Sequence, residues 1–207
     1  MGNVYTQQNG YVLWEVISAL QKEIRRGNEK EAMYWALELL PRYEAYLWRR
    51  LVVIANEDIG IANPQALMLV PNQRSIFFEF RAAGKDSSCR LVLANTILYL
   101  CRSPKSRIAD HFQCVVNQGR AHGERLDIPD YALDKHTSAG KRLGRKADHW
   151  LDVGCVLIPE PEVDDPYEEV ARSYWTGDFI EVPAWPKPSQ AAVLRSDAEH
   201  AQSSFDF

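Results

Sequence analysis

The sequence predicts an all-α protein, a helical bundle with an irregular C-terminal extension. Apolar residues recur at helical spacing in successive stretches between residues 11 and 118. Glycine or proline separates these stretches, at Gly27, Pro41, Gly60 and Pro104. Because the connections are short, we expect consecutive helices to be antiparallel neighbours in a compact bundle.

Two helices are predicted first, over residues 11–26 and 29–40. The stripe of the first one consists of Val12, Leu13, Val16, Ile17, Leu20 and Ile24. The second repeats apolar residues at the same spacing until Pro41. Tyr34 and Trp35 of this helix are expected to fill a helix–helix contact, since base stacking would need a companion aromatic platform.

A third amphipathic helix leads into a polar turn at residues 49–67. Leu47, Leu51, Ile54 and Ala55 keep helical spacing and are expected to face the core. Gly60 can close this helix in the left-handed conformation, and Asn63 followed by Pro64 predicts the start of a fourth helix. We therefore interpret residues 49–67 as a helix–turn–helix joint and not as a catalytic loop.

The remaining elements of the bundle are less regular. The fourth helix is expected to end at Pro71. The apolar run in residues 74–83 is too short for its period to distinguish helix from strand. A further helix is predicted after the Asp86–Ser88 caps, and the last long helix is predicted over residues 105–118.

The joint carries a family resemblance. Four of its segments resemble the C-terminal region of the RarA/MgsA replication-associated recombination ATPases, which are relatives of clamp loaders. These segments are Arg49-Arg50-Leu51, Ile54-Ala55, Glu57-Asp58-Ile59-Gly60 and Pro64-Gln65-Ala66-Leu67. Flanking segments also resemble this family and occur in the same order. They are Ile17-Ser18-Ala19-Leu20-Gln21-Lys22, Ala32-Met33-Tyr34-Trp35-Ala36, Ala94-Asn95 with Leu98-Tyr99-Leu100, and Ser103-Pro104-Lys105-Ser106. The resemblance covers residues 12 to 175 and weakens after Lys105.

The resemblance implies a fold like the clamp-loader collar, the part of these ATPases that holds subunits together as an oligomer. It favours a helix for residues 74–83. It also implies that the joint faces a protein partner, through Arg49, Arg50, Glu57 and Asp58, and that the chain forms a homo-oligomer.

No catalytic motif in the sequence indicates an enzyme. Neither Gly84-Lys85-Asp86 nor Gly140-Lys141-Arg142 has the glycine spacing and the Ser/Thr of a phosphate-binding loop, so we expect no ATP hydrolysis by this chain and no cofactor. Glu57 and Asp58 are adjacent on a helix and point in different directions, so a salt bridge or a cap is the expected use. The cysteines and histidines lack the spacing of a zinc site, so no metal is expected.

Composition excludes several classes. A formal charge of −4 argues against a general polyanion binder, and no apolar run is long enough to span a membrane. The N-terminus lacks the pattern of a signal peptide, and the four cysteines are expected to be reduced thiols. We therefore expect a cytoplasmic protein.

A basic segment precedes an acidic one in the extension. The basic block consists of Lys135, Lys141, Arg142, Arg145 and Lys146, and six acids follow between residues 160 and 169. Mutual neutralisation or simple solvation is the favoured interpretation, and contact with DNA phosphates is the alternative. The extreme C-terminus, with Gln202, Phe205 and Phe207, resembles the short peptides that bind the bacterial sliding clamp.

The expected organisation has four parts. Residues 1–10 form an N-terminal tail, 11–126 the helical collar-like domain, 127–182 a basic-then-acidic extension packed on it, and 183–207 a flexible proline-containing tail. The leading functional prediction is a non-catalytic replication or recombination accessory protein that self-associates or docks on replication proteins such as the sliding clamp. The alternatives are a DNA-binding module and an enzyme with a site assembled from residues such as Asp134, His136 and His149.

Overall fold

The computed structural model describes residues 4–163 and 165–180, and its regular structure is helical. No β-strand occurs in this described part, where a single isolated antiparallel bridge joins Tyr5 to Val12. The all-α prediction is confirmed. The chain divides into two compact units, which we call the N-unit (residues 1–125) and the C-unit (residues 126–207).

Six helices make up the described N-unit. They are α1 (Leu13–Arg26), α2 (Glu29–Glu38), α3 (Glu44–Ile54), α4 (Gln65–Ala82), α5 (Asp86–Arg102) and α6 (Ile108–Ala121). Gly27 ends α1 in the left-handed conformation, with φ of 80°, as its glycine predicts. The short connections place α1 beside α2 and α4 beside α5.

The hydrophobic core lies among α1 to α5. Its buried side chains include most of the stripe predicted for the first helix and all of Leu47, Leu51, Ile54 and Ala55, whereas Leu91, predicted in the helix after Asp86–Ser88, is 63% exposed. Trp48 and Phe77 are fully buried and their ring centroids lie 5.2 Å apart. This contact joins α3 to α4 and forms the aromatic centre of the core.

The fourth helix does not end at Pro71. Helix α4 continues through Pro71 to Ala82, so the predicted fourth helix and the run at residues 74–83 are one helix. Pro71 is exposed, while Ala66 and Val70 before it and Phe77 after it are buried. Core packing on both sides of the proline therefore outweighs the lost backbone hydrogen bond.

The last helix of the N-unit also departs from its prediction. Helix α6 begins three residues later than expected, at Ile108, and ends at Ala121. None of its residues is buried. Its amphipathic pattern is therefore not used by the core of this unit.

Residues 4–12, most of which we expected to form a tail, fold back onto the end of α2. Glu38 is buried and accepts hydrogen bonds from the Thr6 hydroxyl and from the backbone N–H of Asn9, the latter at 3.0 Å. The Gln8 amide donates to the carbonyl oxygens of Leu37 and Leu40, at 3.1 and 2.9 Å. These polar contacts attach the segment to the bundle.

The described part of the C-unit consists of short elements. They are a 3₁₀ turn (Asp130–Ala132), α7 (Ser138–Arg142), α8 (Ala147–His149) running into a π-helical turn (Trp150–Gly154), and α9 (Glu168–Thr176). No hydrophobic side chain in this part is buried. The expected packing of residues 127–182 on the helical domain stays a prediction.

Gly140 has a specific packing role in the C-unit. A Cβ atom at this position would lie 1.8 Å from the carbonyl oxygen of Asp134, so the backbones approach too closely for any side chain. The Thr137 hydroxyl accepts a hydrogen bond from the Gly140 N–H at 3.0 Å and caps α7. Glycine is therefore required where α7 contacts the preceding turn.

Candidate protein-interaction surface

The joint between α3 and α4 is more irregular than a simple turn. Helix α3 continues into a π-helical turn at Ala55–Ile59, and a 3₁₀ turn at Gly60–Ala62 follows. Gly60 has φ of 48° and ψ of −126°. The positive φ agrees with the prediction, but this ψ lies outside the left-handed helical region, in backbone space open mainly to glycine.

Asn63 joins two helices and does not cap one. Its side-chain amide donates to the Tyr99 hydroxyl at 2.9 Å and to the Ser103 hydroxyl at 3.0 Å, both at the end of α5. No side-chain hydrogen bond caps the start of α4. The predicted N-cap role of Asn63 is therefore wrong, because its amide instead crosslinks the joint to α5.

The π-helical turn directs Asp58 into the protein. The Asp58 side chain is 0% exposed, and Arg25 Nε donates to its Oδ1 at 2.7 Å. The Gln21 amide donates to Oδ2 at 3.0 Å. The Asp58 backbone carbonyl accepts from the Ser106 N–H at 2.9 Å. Both carboxylate oxygens of this buried side chain therefore have a hydrogen-bond donor.

Glu57 makes salt bridges with two arginines. Arg25 Nη2 and Arg107 Nη2 each lie 3.2 Å from its Oε1. Arg107 also pairs with Asp110 on α6. We call Arg25, Glu57, Asp58, Arg107 and Asp110 the arginine–carboxylate hub. It ties α1, the joint and α6 together.

The hub confirms that Glu57 and Asp58 make salt bridges, as expected. The same arginines reach both carboxylates although the two residues are adjacent, because the π-helical turn changes the helical spacing locally. Asp58 has no exposed surface, whereas Glu57 is partly exposed. Of the predicted interaction residues, Arg49 is exposed and Arg50 is half-buried.

The end of α5 is held by a partly buried lysine. Lys105 Nζ donates to the carbonyl oxygens of Leu100, Cys101 and Ser103, at 2.9, 2.8 and 2.6 Å. Burial lowers the pKa of Lys105, and burial raises the pKa of the neighbouring Cys101 thiol to about 11. Lys105 thus acts as a cap for the carbonyls at the helix C-terminus, and Cys101 is kept as an inert thiol.

An exposed apolar feature near the joint lies on α6. Ile108, Phe112, Val115 and Val116 are 59%, 68%, 70% and 43% exposed, and their spacing places them on one side of the helix. We call these four residues the α6 stripe. On another side of α6, a groove of about 370 Å³ lies between α3 and α6 and is lined by Val52, Val53, Asn56, Glu57, Ala109, Asp110 and Gln113.

A second groove lies on the other side of the joint, against α5. Its volume is about 500 Å³. Its lining is mostly amide, hydroxyl and apolar, and comprises Asn63, Leu69, Gln73, Asn95, Thr96, Leu98, Tyr99, Arg102, Ser103 and Pro104. Part of its polar lining is occupied by the Asn63 crosslink to α5.

The predicted basic block does not act as one cluster. Arg145 donates to the carbonyl oxygens of Asp130 and Leu133, both at 2.7 Å, and pairs with the Asp130 carboxylate. Lys135 Nζ lies 4.3 Å from the Trp150 ring centroid. Lys141, Arg142 and Lys146 are exposed. Two of the five cations therefore serve the local structure of the C-unit.

The residues proposed for an assembled enzyme site do not line either groove. Asp134 Oδ1 accepts a hydrogen bond from the backbone N–H of His136 at 2.9 Å, and the His136 ring lies 5.6 Å from that of Trp150. Within the described residues, no group of three His, Cys, Asp or Glu side chains could hold a metal ion. In the same residues, no helix is long and apolar enough to cross a membrane.

Gln202, Phe205 and Phe207 lie outside the described residues. Inside them, sequence reasoning missed Arg25 and Arg107, the partners of the two joint carboxylates. No local pattern marks these arginines, since the two carboxylates lie tens of residues away in sequence. The α6 stripe, in contrast, has a signal in the sequence, because Ile108, Phe112 and Val115 follow a spacing of four and three residues.

Comparison with known proteins identifies the family. The model for the C-terminal region of the MgsA AAA+ ATPase matches residues 27–152, more than half of the chain. Replication-associated recombination protein A of Bacillus subtilis is 33% identical over 184 residues, which cover 83% of this chain and 41% of that protein.

Two further relatives agree. ATPase WRNIP1 of Dictyostelium discoideum is 27% identical over 173 residues, covering 78% of this chain and 19% of the relative. Replication-associated recombination protein A of Haemophilus influenzae is 30% identical over 145 residues, covering 66% and 30%. This chain spans less than half the length of each of these relatives. The matched region and its helical fold together show that the chain belongs to the MgsA AAA+ ATPase C-terminal family.

Proposed function

We propose that this chain is a non-catalytic accessory of DNA replication and recombination that works as an oligomerisation and docking domain. Its relatives bear the name of replication-associated recombination proteins. The match is to the C-terminal region of an AAA+ ATPase. A collar-like domain in such a protein would hold subunits together, as the sequence resemblance implies.

The α6 stripe is the observation that carries this proposal. Four apolar side chains of one helix are exposed together, and α6 contributes no residue to the core. A helix whose apolar face is open to water gains stability when a partner covers it. The arginine–carboxylate hub anchors the start of α6, so the stripe is presented on a fixed support.

The occupant that we propose for the stripe is a second copy of this chain. Equivalent stripes of two copies can pack on each other around a two-fold axis, because one apolar helix face is complementary to itself. The role predicted for the joint in protein contact fits this arrangement, since the hub links the joint to α6.

The test is the mass of the purified chain in solution by light scattering, over a range of concentrations. We expect an oligomer for the wild type and a monomer for Phe112→Asp, because a buried unpaired carboxylate at the centre of the contact is strongly unfavourable. Met68→Asp on α4 is the matched control, since Met68 is 78% exposed and lies outside the stripe. A monomeric wild type, or equal dissociation by both variants, would remove the proposal.

The C-terminal peptide supports a second docking route. Peptides that bind preformed pockets, such as those of a sliding clamp, present a glutamine amide and two apolar side chains. Here Gln202 would supply the amide, and Phe205 and Phe207 the apolar side chains. Light scattering of the chain mixed with a bacterial sliding clamp tests it. We expect a mass increase that disappears in the Phe205→Ala/Phe207→Ala variant and persists in Phe112→Asp. No shift with the clamp would exclude this route.

A further inference from the structure

Exposed aromatic rings, which we call the aromatic cluster, lie where the start of α1 meets α2 and where α1 meets α3. The Trp35 ring centroid lies 5.4 Å from that of Tyr11 and 4.9 Å from that of Tyr34, and Trp14 lies 5.7 Å from Tyr46. Tyr11, Trp14 and Tyr34 are 40%, 54% and 46% exposed. Tyr34 and Trp35 therefore have the companion rings that the sequence did not reveal, and the cluster leaves ring surface open to solvent.

Three arginines contact aromatic rings of α3 and of the turn before it. Arg42 lies over the Tyr43 ring at 5.6 Å, and Arg49 lies over the Tyr46 ring at 5.7 Å. Arg50 donates to the Tyr46 hydroxyl and to the Gln21 amide oxygen, both at 3.4 Å. Arg49 and Arg50 therefore both contact Tyr46, whereas Arg42 precedes α3 and contacts Tyr43.

These three arginines differ from Arg25 and Arg107 in their charge partners. Arg25 and Arg107 pair with carboxylates, whereas none of Arg42, Arg49 and Arg50 has a carboxylate partner among the described residues. Their charge is thus not neutralised locally. We call Trp14, Tyr46, Arg49 and Arg50 the arginine–aromatic face, because Tyr46 contacts each of the other three.

We infer that the arginine–aromatic face binds single-stranded nucleic acid, with the phosphates on the arginines and a base stacked on Trp14. Guanidinium groups beside exposed rings are the combination that holds a single strand without reading its sequence. A duplex would offer its phosphates but would keep its bases inside the stack. An acidic protein segment would use the arginines and leave the exposed rings unused.

The charge of the two units favours this location over the basic block. Residues 1–125 contain sixteen arginines and lysines and twelve aspartates and glutamates, whereas residues 126–180 contain six and twelve. A polyanion is therefore attracted to the N-unit and repelled by the C-unit, where Arg145 is also committed to Asp130. The inference is independent of the α6 stripe, which lies on a different helix.

The test is fluorescence anisotropy of a labelled oligothymidylate of about 20 nucleotides at low salt, a length that exceeds the usual site of a small domain. The test variants are Arg49→Ala/Arg50→Ala and Trp14→Ala. The matched control is Lys141→Ala/Arg142→Ala, which removes the same charge from exposed residues of the C-unit. Circular dichroism of each variant verifies that the helices are retained.

We expect about a tenfold or larger loss of affinity for the double arginine variant, and a salt slope lower by about 1.4, since each lost phosphate contact removes about 0.7. Trp14→Ala is expected to weaken oligothymidylate binding about tenfold and to leave binding of an abasic strand of equal length unchanged. The control variant is expected to bind within about twofold of the wild type, because it keeps all of these contacts.

Four results would overturn the inference. They are undetectable binding by the wild type at low salt, a larger loss in the control than in the arginine variant, equal affinity for the abasic strand, and tighter binding of a poly-glutamate peptide of equal charge. The second result would assign nucleic acid to the basic block, and the fourth would assign the face to an acidic protein segment.

Discussion

The N-unit and the C-unit are built in different ways. All 24 buried hydrophobic residues of the described chain lie in the N-unit, and none lies in the C-unit. The C-unit instead depends on local polar contacts, such as those of Arg145, and on ring contacts such as that between Trp150 and Trp175, 4.9 Å apart. Burial of apolar area is the main source of folding stability, so the N-unit should be the more stable of the two.

The family match crosses this division. Residues 27–152 include most of the N-unit and the first third of the C-unit. Membership in the family therefore does not depend on a hydrophobic core alone. The features that we propose for function, the α6 stripe and the arginine–aromatic face, both lie in the unit with the core, where a rigid support can present them.

The largest effect is expected for Phe77→Ala. Removing a fully buried ring from the contact with Trp48 should lower the free energy of unfolding of the N-unit by about 3–5 kcal/mol. Urea unfolding followed by circular dichroism measures it, with Met68→Ala as the control, since that side chain is 78% exposed and lies outside the α6 stripe. Hydrogen exchange of the α7 amides should stay unchanged, and a parallel change there would mean that the units unfold together.

The next effect is expected for Arg25→Ala. The variant leaves the buried Asp58 carboxylate with Gln21 and with Arg107, whose Nε lies 4.0 Å from Oδ1, so the loss of the closer cation should cost about 2–4 kcal/mol. Arg102→Ala, which breaks the exposed pair with Glu29, should cost below about 1 kcal/mol. Equal costs in urea unfolding would show that the hub has no special role.

A glycine substitution tests the C-unit alone. Gly140→Ala forces a Cβ against the backbone of Asp134 and should destabilise the C-unit by about 1–3 kcal/mol, seen as faster hydrogen exchange in α7. Gly119→Ala in α6 is the control, since its Cβ would meet only the flexible Glu124 side chain. Unchanged exchange in the first variant would contradict the close approach.

The smallest effect is a pH dependence at the N-terminal segment. Burial alone would raise the pKa of Glu38, but hydrogen bonds from Thr6 and Asn9 outweigh burial and hold the pKa below its ordinary value of 4.5. A carboxyl with a lowered folded pKa stabilises the fold fully above about pH 4.5, and this contribution is lost as the pH falls through the folded pKa.

The measurement is unfolding of wild type and Glu38→Gln from pH 7 to pH 3. The gap in stability between them should close as the pH falls, because Glu38 becomes neutral in the wild type as well. A gap that stays constant, or widens, over this range would contradict the assigned role of Glu38.

The sequence predicted the core helices well because their apolar period directly records burial. Leu47, Leu51 and Ile54 are buried as their spacing indicated. It failed at Pro71, where long-range packing of Phe77 outweighs a local breaker, and at Asn63, whose partners on α5 are distant in sequence. The hub and the aromatic cluster could not be predicted, since each depends on which helices become neighbours and not on the pattern of one helix.

The central claim is that α6 is an interface. Hydrogen exchange of the full chain at low and at high protein concentration tests it most directly, because it locates any contact along the chain. We predict that amides of residues 108–121 become more protected as the concentration rises, and that Phe112→Asp abolishes this change. Protection that does not depend on concentration, or that increases only in residues 126–180, would contradict the claim.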